Sequence, residues 1–165
     1  MNYKYTYESP LGTMIMLGTL SYLTDLFFVD ESHAPTYDDA DYIEQKTGPF
    51  EVTITWLDQY FKGQKPFITP PIQLEGTEFR KFVWSLLQTI PYGQTTTYGD
   101  IGKQIAEKQG KDKMSAQAVG GAVGHNPISI IVPCHRVIGS NGKLTGYAGG
   151  IERKKYLLDL ESKHK

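Results

Sequence analysis

The residues best suited to covalent chemistry stand together at Pro133-Cys134-His135-Arg136, in a chain of 165 residues with no other cysteine. A lone cysteine is by default a small buried hydrophobe. Here its neighbours suggest more. Proline has no backbone donor, so Pro133 halts a strand ladder and fixes the approach to Cys134. His135 and Arg136 put positive charge beside the sulfur, and such surroundings lower a thiol pKa toward the nucleophilic thiolate. The apolar run Ile128–Val132 just before them reads as a buried strand ending at a cleft. A single thiol excludes an internal disulfide and any zinc site with two or more thiolates. The histidines are His33, His125, His135 and His164, and adjacent Cys134 and His135 are not at chelating spacing. No metal and no cofactor are expected.

The elements that must carry this centre are readable from periodicity. YKYTYES, GTMIMLGT and YLTDLFFV read as short, antiparallel strands separated by turn residues at Pro10, Gly12 and Ser21. The polar stretch ESHAPTYDDAD reads as a loop. Phe50, Ile54, Leu57 and Phe61 recur at helical spacing before Gly63. Three prolines in KPFITPPIQLEG predict an extended crossing between two lobes. Thr77 is a candidate N-cap for a helix with Phe79, Phe82, Val83, Leu86, Leu87 and Ile90 on its buried stripe. A second helix carries Tyr98, Ile101 and Ile105, and after a short KDKM turn Ser115 caps a third, SAQAVGGAVGHN. Two short helices joined by a tight turn match either a helix-turn-helix or a plain α-hairpin in a core.

The third helix has almost no side-chain bulk, through Ala116, Ala118, Gly120, Gly121, Ala122 and Gly124. Glycine inside a helix costs up to about 1 kcal/mol against alanine. The repetition implies close approach of another backbone, from a neighbouring helix or from nucleic acid. The chain then runs through Gly139, Gly142, Gly146, Gly149 and Gly150 in a loop and closes with a helix whose Ile151, Tyr156, Leu157, Leu158 and Leu160 are expected to pack inward.

Composition bounds the partners. At 39% hydrophobic and 21% charged residues the chain suits a globular protein. The start lacks the basic patch and apolar run of a secretory signal, no apolar run approaches membrane-spanning length, and a cytoplasmic monomer away from membranes is expected. The formal charge of −1 hides a division. Residues 1–76 hold four Lys/Arg against eleven Asp/Glu, a net of −7, and residues 77–165 hold thirteen against seven, a net of +6. An acidic half and a basic half can orient a molecule on a polyanion.

PCHRV at 133–137, preceded by AVGGA at 118–122 and Asn126-Pro127, resembles the signature of the O6-alkylguanine-DNA alkyltransferases. The likeness runs from Thr77 through Tyr98 to Gly149-Gly150 and Glu161, and more loosely over the first half. It implies an α/β fold with a small mixed N-terminal lobe of antiparallel strands at 1–76. A helical DNA-binding lobe at 77–165 would contain the helix-turn-helix and a short strand. It also implies roles. Cys134 accepts the alkyl group, and His135 acts on it through water, oriented by Glu161. Tyr98 donates to the departing guanine, and Asn126 braces the turn before the cysteine. Gly146, Tyr147, Ala148 and Val123 line the base pocket. Ser115, Gln117, Ala118, Gly121 and Arg136 meet DNA, with Lys103, Lys111 and Lys113 as possible phosphate contacts. The implied partner is duplex DNA carrying O6-alkylguanine, with the damaged nucleotide rotated out of the stack. Two positions depart from the family pattern: Ala148 replaces a serine, and Gln117 replaces an arginine that often fills the vacated space. Glutamine lacks that residue's stacking surface and charge, so weaker capture of the flipped state is expected. A lesion sensor without transfer, a thiol hydrolase and a DNA-binding domain with an inert cysteine are the competing readings.

Overall fold

The computed structural model describes residues 1–165. Strands β1 (Asn2–Ser9), β2 (Gly12–Gly18) and β3 (Leu23–Phe28) form the expected antiparallel meander. A short β4 (Tyr42–Glu44), unforeseen in the sequence, pairs parallel with β1 and gives the order β3-β2-β1-β4. Helix α1 (Gly48–Phe61) starts at Thr47, whose hydroxyl accepts from the Phe50 N–H, and lays its apolar face on the sheet. That face is Phe50, Thr53, Trp56, Leu57 and Tyr60. Ile54 and Phe61, expected at its centre, lie at its margin.

Because β3 is an edge strand, its outer backbone groups are open for pairing. Two segments use them. The proline-rich crossing docks through Leu23 N–H to Pro71 O at 2.8 Å and Gln73 N–H to Leu23 O at 3.0 Å. The segment before the cysteine docks through Leu26 N–H to Pro127 O and Ser129 N–H to Leu26 O, both at 2.8 Å. The sheet edge therefore positions the cysteine segment directly.

The second half is helical: α2 (Glu78–Leu87), α3 (Tyr98–Gln109), α4 (Ala116–Gly124) and α5 (Ile151–His164). Thr77, Thr97 and Ser115 each cap a helix by accepting from the backbone N–H three residues on. Gly110, in the left-handed region at φ 68°, ends α3. Two-residue strands β5 (Thr96–Thr97) and β6 (Val137–Ile138) pair in parallel. One contiguous core runs from Tyr3 in β1 through Val83, Ile105 and Val123 to Leu157 in α5. The Trp84 indole N–H donates to the Ala122 carbonyl at 2.8 Å, fixing α2 against α4. The open face of α4 is solvated: a β-carbon built at Gly120, Gly121 or Gly124 meets no atom within 4 Å. Packing by a neighbouring helix does not explain these glycines.

Two expectations fail. Ile128–Val132 is a tight turn rather than a strand, because Ile130 adopts φ 70° and breaks any extended run. On α5 the buried residues are Lys154, Leu157 and Glu161, while Ile151 and Tyr156 are 43% and 40% exposed. That helix buries a cation and an anion for which the core supplies partners, so hydrophobicity alone misreads its face.

Trp84→Phe removes part of a buried ring system and leaves the Ala122 carbonyl without its donor. The expected loss is about 1–3 kcal/mol of unfolding free energy, read from urea denaturation; a smaller change would mean that the bond does not anchor α4.

Candidate active site

The site begins with the turn at residues 126–133. Asn126 Nδ2 donates to Val132 O at 2.7 Å and Ile128 O at 3.2 Å, while its Oδ1 accepts from the Ile128 N–H at 3.1 Å. A β-branched residue at positive φ is a backbone outlier costing about 1–3 kcal/mol. Ile130 holds that conformation inside the clamp that Asn126 and β3 provide.

Cys134–Arg136 then forms one turn of 3-10 helix. At three residues per turn, successive side chains point about 120° apart. The three therefore leave in different directions. His135 and Arg136 reach Glu161 of α5. The Glu161 carboxylate accepts from His135 Nε2 at 2.5 Å, from Arg136 Nε at 2.8 Å and Nη2 at 3.2 Å, from the Tyr60 hydroxyl at 2.6 Å, and from the Gly93 N–H at 3.1 Å. Arg136 Nη1 also donates to Ile90 O at 2.7 Å.

These contacts decide the charge states. Burial alone would raise the Glu161 pKa, but His135 and Arg136 outweigh it and hold the carboxyl at about 2. Burial pushes the His135 pKa below its ordinary value despite the adjacent carboxylate. The imidazole is therefore neutral. A carboxylate can only accept, so the single ring proton sits on Nε2. The Nδ1 lone pair remains free, in a buried position with no partner. That is the protonation state of a base.

Cys134 is 6% exposed. Burial pushes its thiol up to about 11; the Asn126 amide pulls it down, the Glu31 charge raises it, and the Lys154 ammonium lowers it. This corrects the expectation of a depressed pKa. The Arg136 charge is directed at Glu161, and the imidazole carries none. Lys154 is the cation that faces the sulfur. Wholly buried, it donates to Val137 O at 2.5 Å and Thr145 O at 2.8 Å, and burial lowers its pKa to about 8. The single Tyr98 hydroxyl proton is shared between Thr145 O at 3.2 Å and Gly146 O at 3.3 Å, and burial raises the Tyr98 pKa to about 12. It stays a proton donor at neutral pH.

The other sequence-designated residues divide by position. Tyr147 is buried with its hydroxyl unpartnered, Ala148 is half-buried and Gly146 exposed, all on the loop beside Tyr98. Val123 is buried in the core of α4. Ser115, Gln117 and Gly121 lie exposed on the open side of α4, with Ala118 partly covered. Arg136 does not join them: it is 8% exposed and ion-paired to Glu161, so it is not available to a phosphate. Sequence reasoning missed Tyr60, Gly93 and Lys154. Tyr60 lies off the expected stripe of Phe50, Ile54, Leu57 and Phe61, Gly93 contributes only backbone, and Lys154 lies in a run of charged residues. No group of three His, Cys, Asp or Glu side chains is arranged to hold a metal ion.

Because the folded Glu161 pKa is depressed, its contribution to stability is full above the unfolded value near 4.5 and is lost as pH falls toward 2. The expected loss across that window is on the order of 1–3 kcal/mol, since a neutral His135 contributes its hydrogen bond and no charge. Glu161→Gln should flatten this part of the urea-denaturation profile; an equally steep decline in the variant contradicts the assignment.

The family model described as 6-O-methylguanine DNA methyltransferase, ribonuclease-like domain, matches residues 2–74, and the DNA binding domain model of the same family matches residues 78–163. A methylated-DNA–protein-cysteine methyltransferase of Mycolicibacterium paratuberculosis is 44% identical, over 96% of this chain and 92% of the relative. The one from Methanosarcina acetivorans is 43% identical, over 96% and 97%. Among solved structures, Mycobacterium tuberculosis OGT in complex with DNA superposes with a TM-score of 0.85 at 42% identity, covering 98% of this chain and 94% of that one. The chain belongs to the 6-O-methylguanine DNA methyltransferase family.

Proposed function

We propose that the protein repairs duplex DNA by moving the alkyl group of O6-alkylguanine onto the sulfur of Cys134. The observation that carries the reading is a sole cysteine followed by a neutral imidazole, with one ring nitrogen bound to a buried carboxylate and the other free. With one cysteine in the chain, a cysteine acceptor can only be Cys134.

The target atom lies inside the duplex, so the nucleotide must rotate out, at a cost of a few kcal/mol that is least for a disrupted pair. The small-residue face of α4 allows the DNA backbone close approach, with Ser115, Gln117, Ala118 and Gly121 as its contacts. In the pocket the Cys134 proton passes through a water molecule to His135 Nδ1, and the imidazolium that forms is stabilised by Glu161. The thiolate attacks the alkyl carbon in line. A sulfur–carbon bond forms, the carbon–O6 bond breaks, and its electron pair stays on the base. Tyr98 delivers a proton to the guanine and recovers one from the imidazolium through solvent, so the base leaves neutral. Lys154 supplies the positive field that the resting thiol needs, since burial otherwise disfavours its anion.

The product is a thioether. It has neither an S–H to ionise nor a carbonyl for water to attack, so each molecule acts once. We assign the residues upstream of 77 to a mixed α/β domain and 77–165 to the DNA-binding domain that carries the chemistry, and we place the protein in the cytoplasm as a monomer. No helix is long and apolar enough to cross a membrane.

Incubation with duplex DNA containing O6-methylguanine, followed by intact-mass measurement, should show a gain of one methyl on Cys134, restored guanine and a one-to-one endpoint. Cys134→Ser should show no gain. Unchanged DNA would reject repair, and repeated turnover would indicate a hydrolase instead.

A further inference from the structure

The turn after β3 presents four consecutive residues, and each holds a different element of the helical half. Asp30 Oδ1 accepts from Arg153 Nη1 of α5 at 2.8 Å. Glu31 Oε2 accepts from the Ser129 hydroxyl, in the turn before the cysteine, at 3.4 Å. Ser32 donates to the Ala148 carbonyl twice, from its N–H at 3.0 Å and its hydroxyl at 3.2 Å. The His33 ring lies over that of His125, which follows α4, with centroids 4.1 Å apart. His33 has φ 62°, in the left-handed region that is uncommon outside glycine.

The loop on the receiving side has little internal bonding. The carbonyls of Thr145, Gly146, Ala148 and Gly149 accept instead from outside it. Lys154 and Tyr98 take the first, Tyr98 the second, Ser32 the third, and Arg153 Nη1, at 3.1 Å, the fourth. Arg153 is itself fixed by Asp30, by the Leu11 carbonyl at 3.0 Å, and by the Phe28 ring 4.2 Å below its guanidinium. The grip on Ala148 and Gly149 thus comes wholly or partly from the first half of the chain. The loop whose Tyr147 shares the core with the 6% exposed thiol takes its position from residues outside the catalytic set.

From this we infer that Asp30 and Ser32 are positioning residues for alkyl transfer, forming a clasp that sets the Tyr147–Gly149 wall against the reacting base. The inference rests on the transfer reading above. The clasp acts after DNA is bound: it governs how well the flipped base is presented to sulfur, and the open face of α4 binds the duplex without it.

Asp30 and Ser32 are exposed, so replacing them spares the core. In single-turnover repair of O6-methylguanine duplex, Asp30→Ala/Ser32→Ala should lower the saturating rate about fivefold or more, since small misplacements of a reacting group carry large rate penalties. The dissociation constant for undamaged duplex, from anisotropy, should stay within about twofold of the parent. Asp30→Glu/Ser32→Thr, which keeps both functional groups, should recover most of the rate, and the melting temperature checks folding. An unchanged saturating rate, or a parallel fall in rate and DNA affinity, overturns the clasp. Failure of the parent protein to acquire a methyl group would instead defeat the transfer reading itself.

Discussion

The buried carboxylate of Glu161 is the contact on which the rest of the site depends. It draws donors from α1, from the backbone at Gly93, and from both residues that follow the cysteine. An ion taken out of water is strongly disfavoured unless it is paired and its oxygens are satisfied. Here Arg136 supplies the charge, and the neutral donors fill the remaining positions. The arrangement joins α1 and α5, elements far apart in the chain, to the turn that carries the thiol. It also accounts for chemistry that adjacency alone would misjudge. The guanidinium beside the cysteine is buried against Glu161, and it is not among the charges that act on the thiol. The imidazole beside the cysteine keeps its proton on the nitrogen facing Glu161, so the other is ready to accept one.

A second constraint is the open edge of β3. Strand edges pair with whatever backbone is presented to them, and two points of this edge receive the inter-lobe crossing and the turn before Cys134. The sheet of the acidic half is thereby part of the scaffold of the reactive centre in the basic half. The turn that continues from β3 meets the pocket loop within a few residues of the same anchor. The position of the turn before the thiol therefore depends on the N-terminal sheet.

Much of this was legible in the sequence. The alternation of β1 to β3, the caps at Thr77 and Ser115, and the small-residue face of α4 are local signals, and local signals survive into the structure. The PCHRV segment with Asn126-Pro127 pointed to the family. Legibility failed where a tertiary partner decides the outcome. Ile128–Val132 has the composition of a strand, but Asn126 and β3 bend it into a turn. The buried face of α5 reads Lys154, Leu157, Glu161, and without sight of the carbonyls and the guanidinium that receive its charges it looks solvent-exposed. The pairing of Arg136 was not legible because its acceptor lies 25 residues further on. Tyr60 and Gly93 gave no signal, since one lies off the apolar stripe legible in the sequence and the other contributes only an N–H.

Burial keeps His135 neutral, and Glu161 holds its single ring proton on Nε2, which leaves Nδ1 free to receive the Cys134 proton. Nitrogen-15 NMR of the ring-labelled protein tests this directly. Between pH 7 and 8 one protonated Nε2 with a strongly hydrogen-bonded proton and a bare Nδ1 are expected. A ring protonated on Nδ1, or an imidazolium persisting through that range, would contradict it.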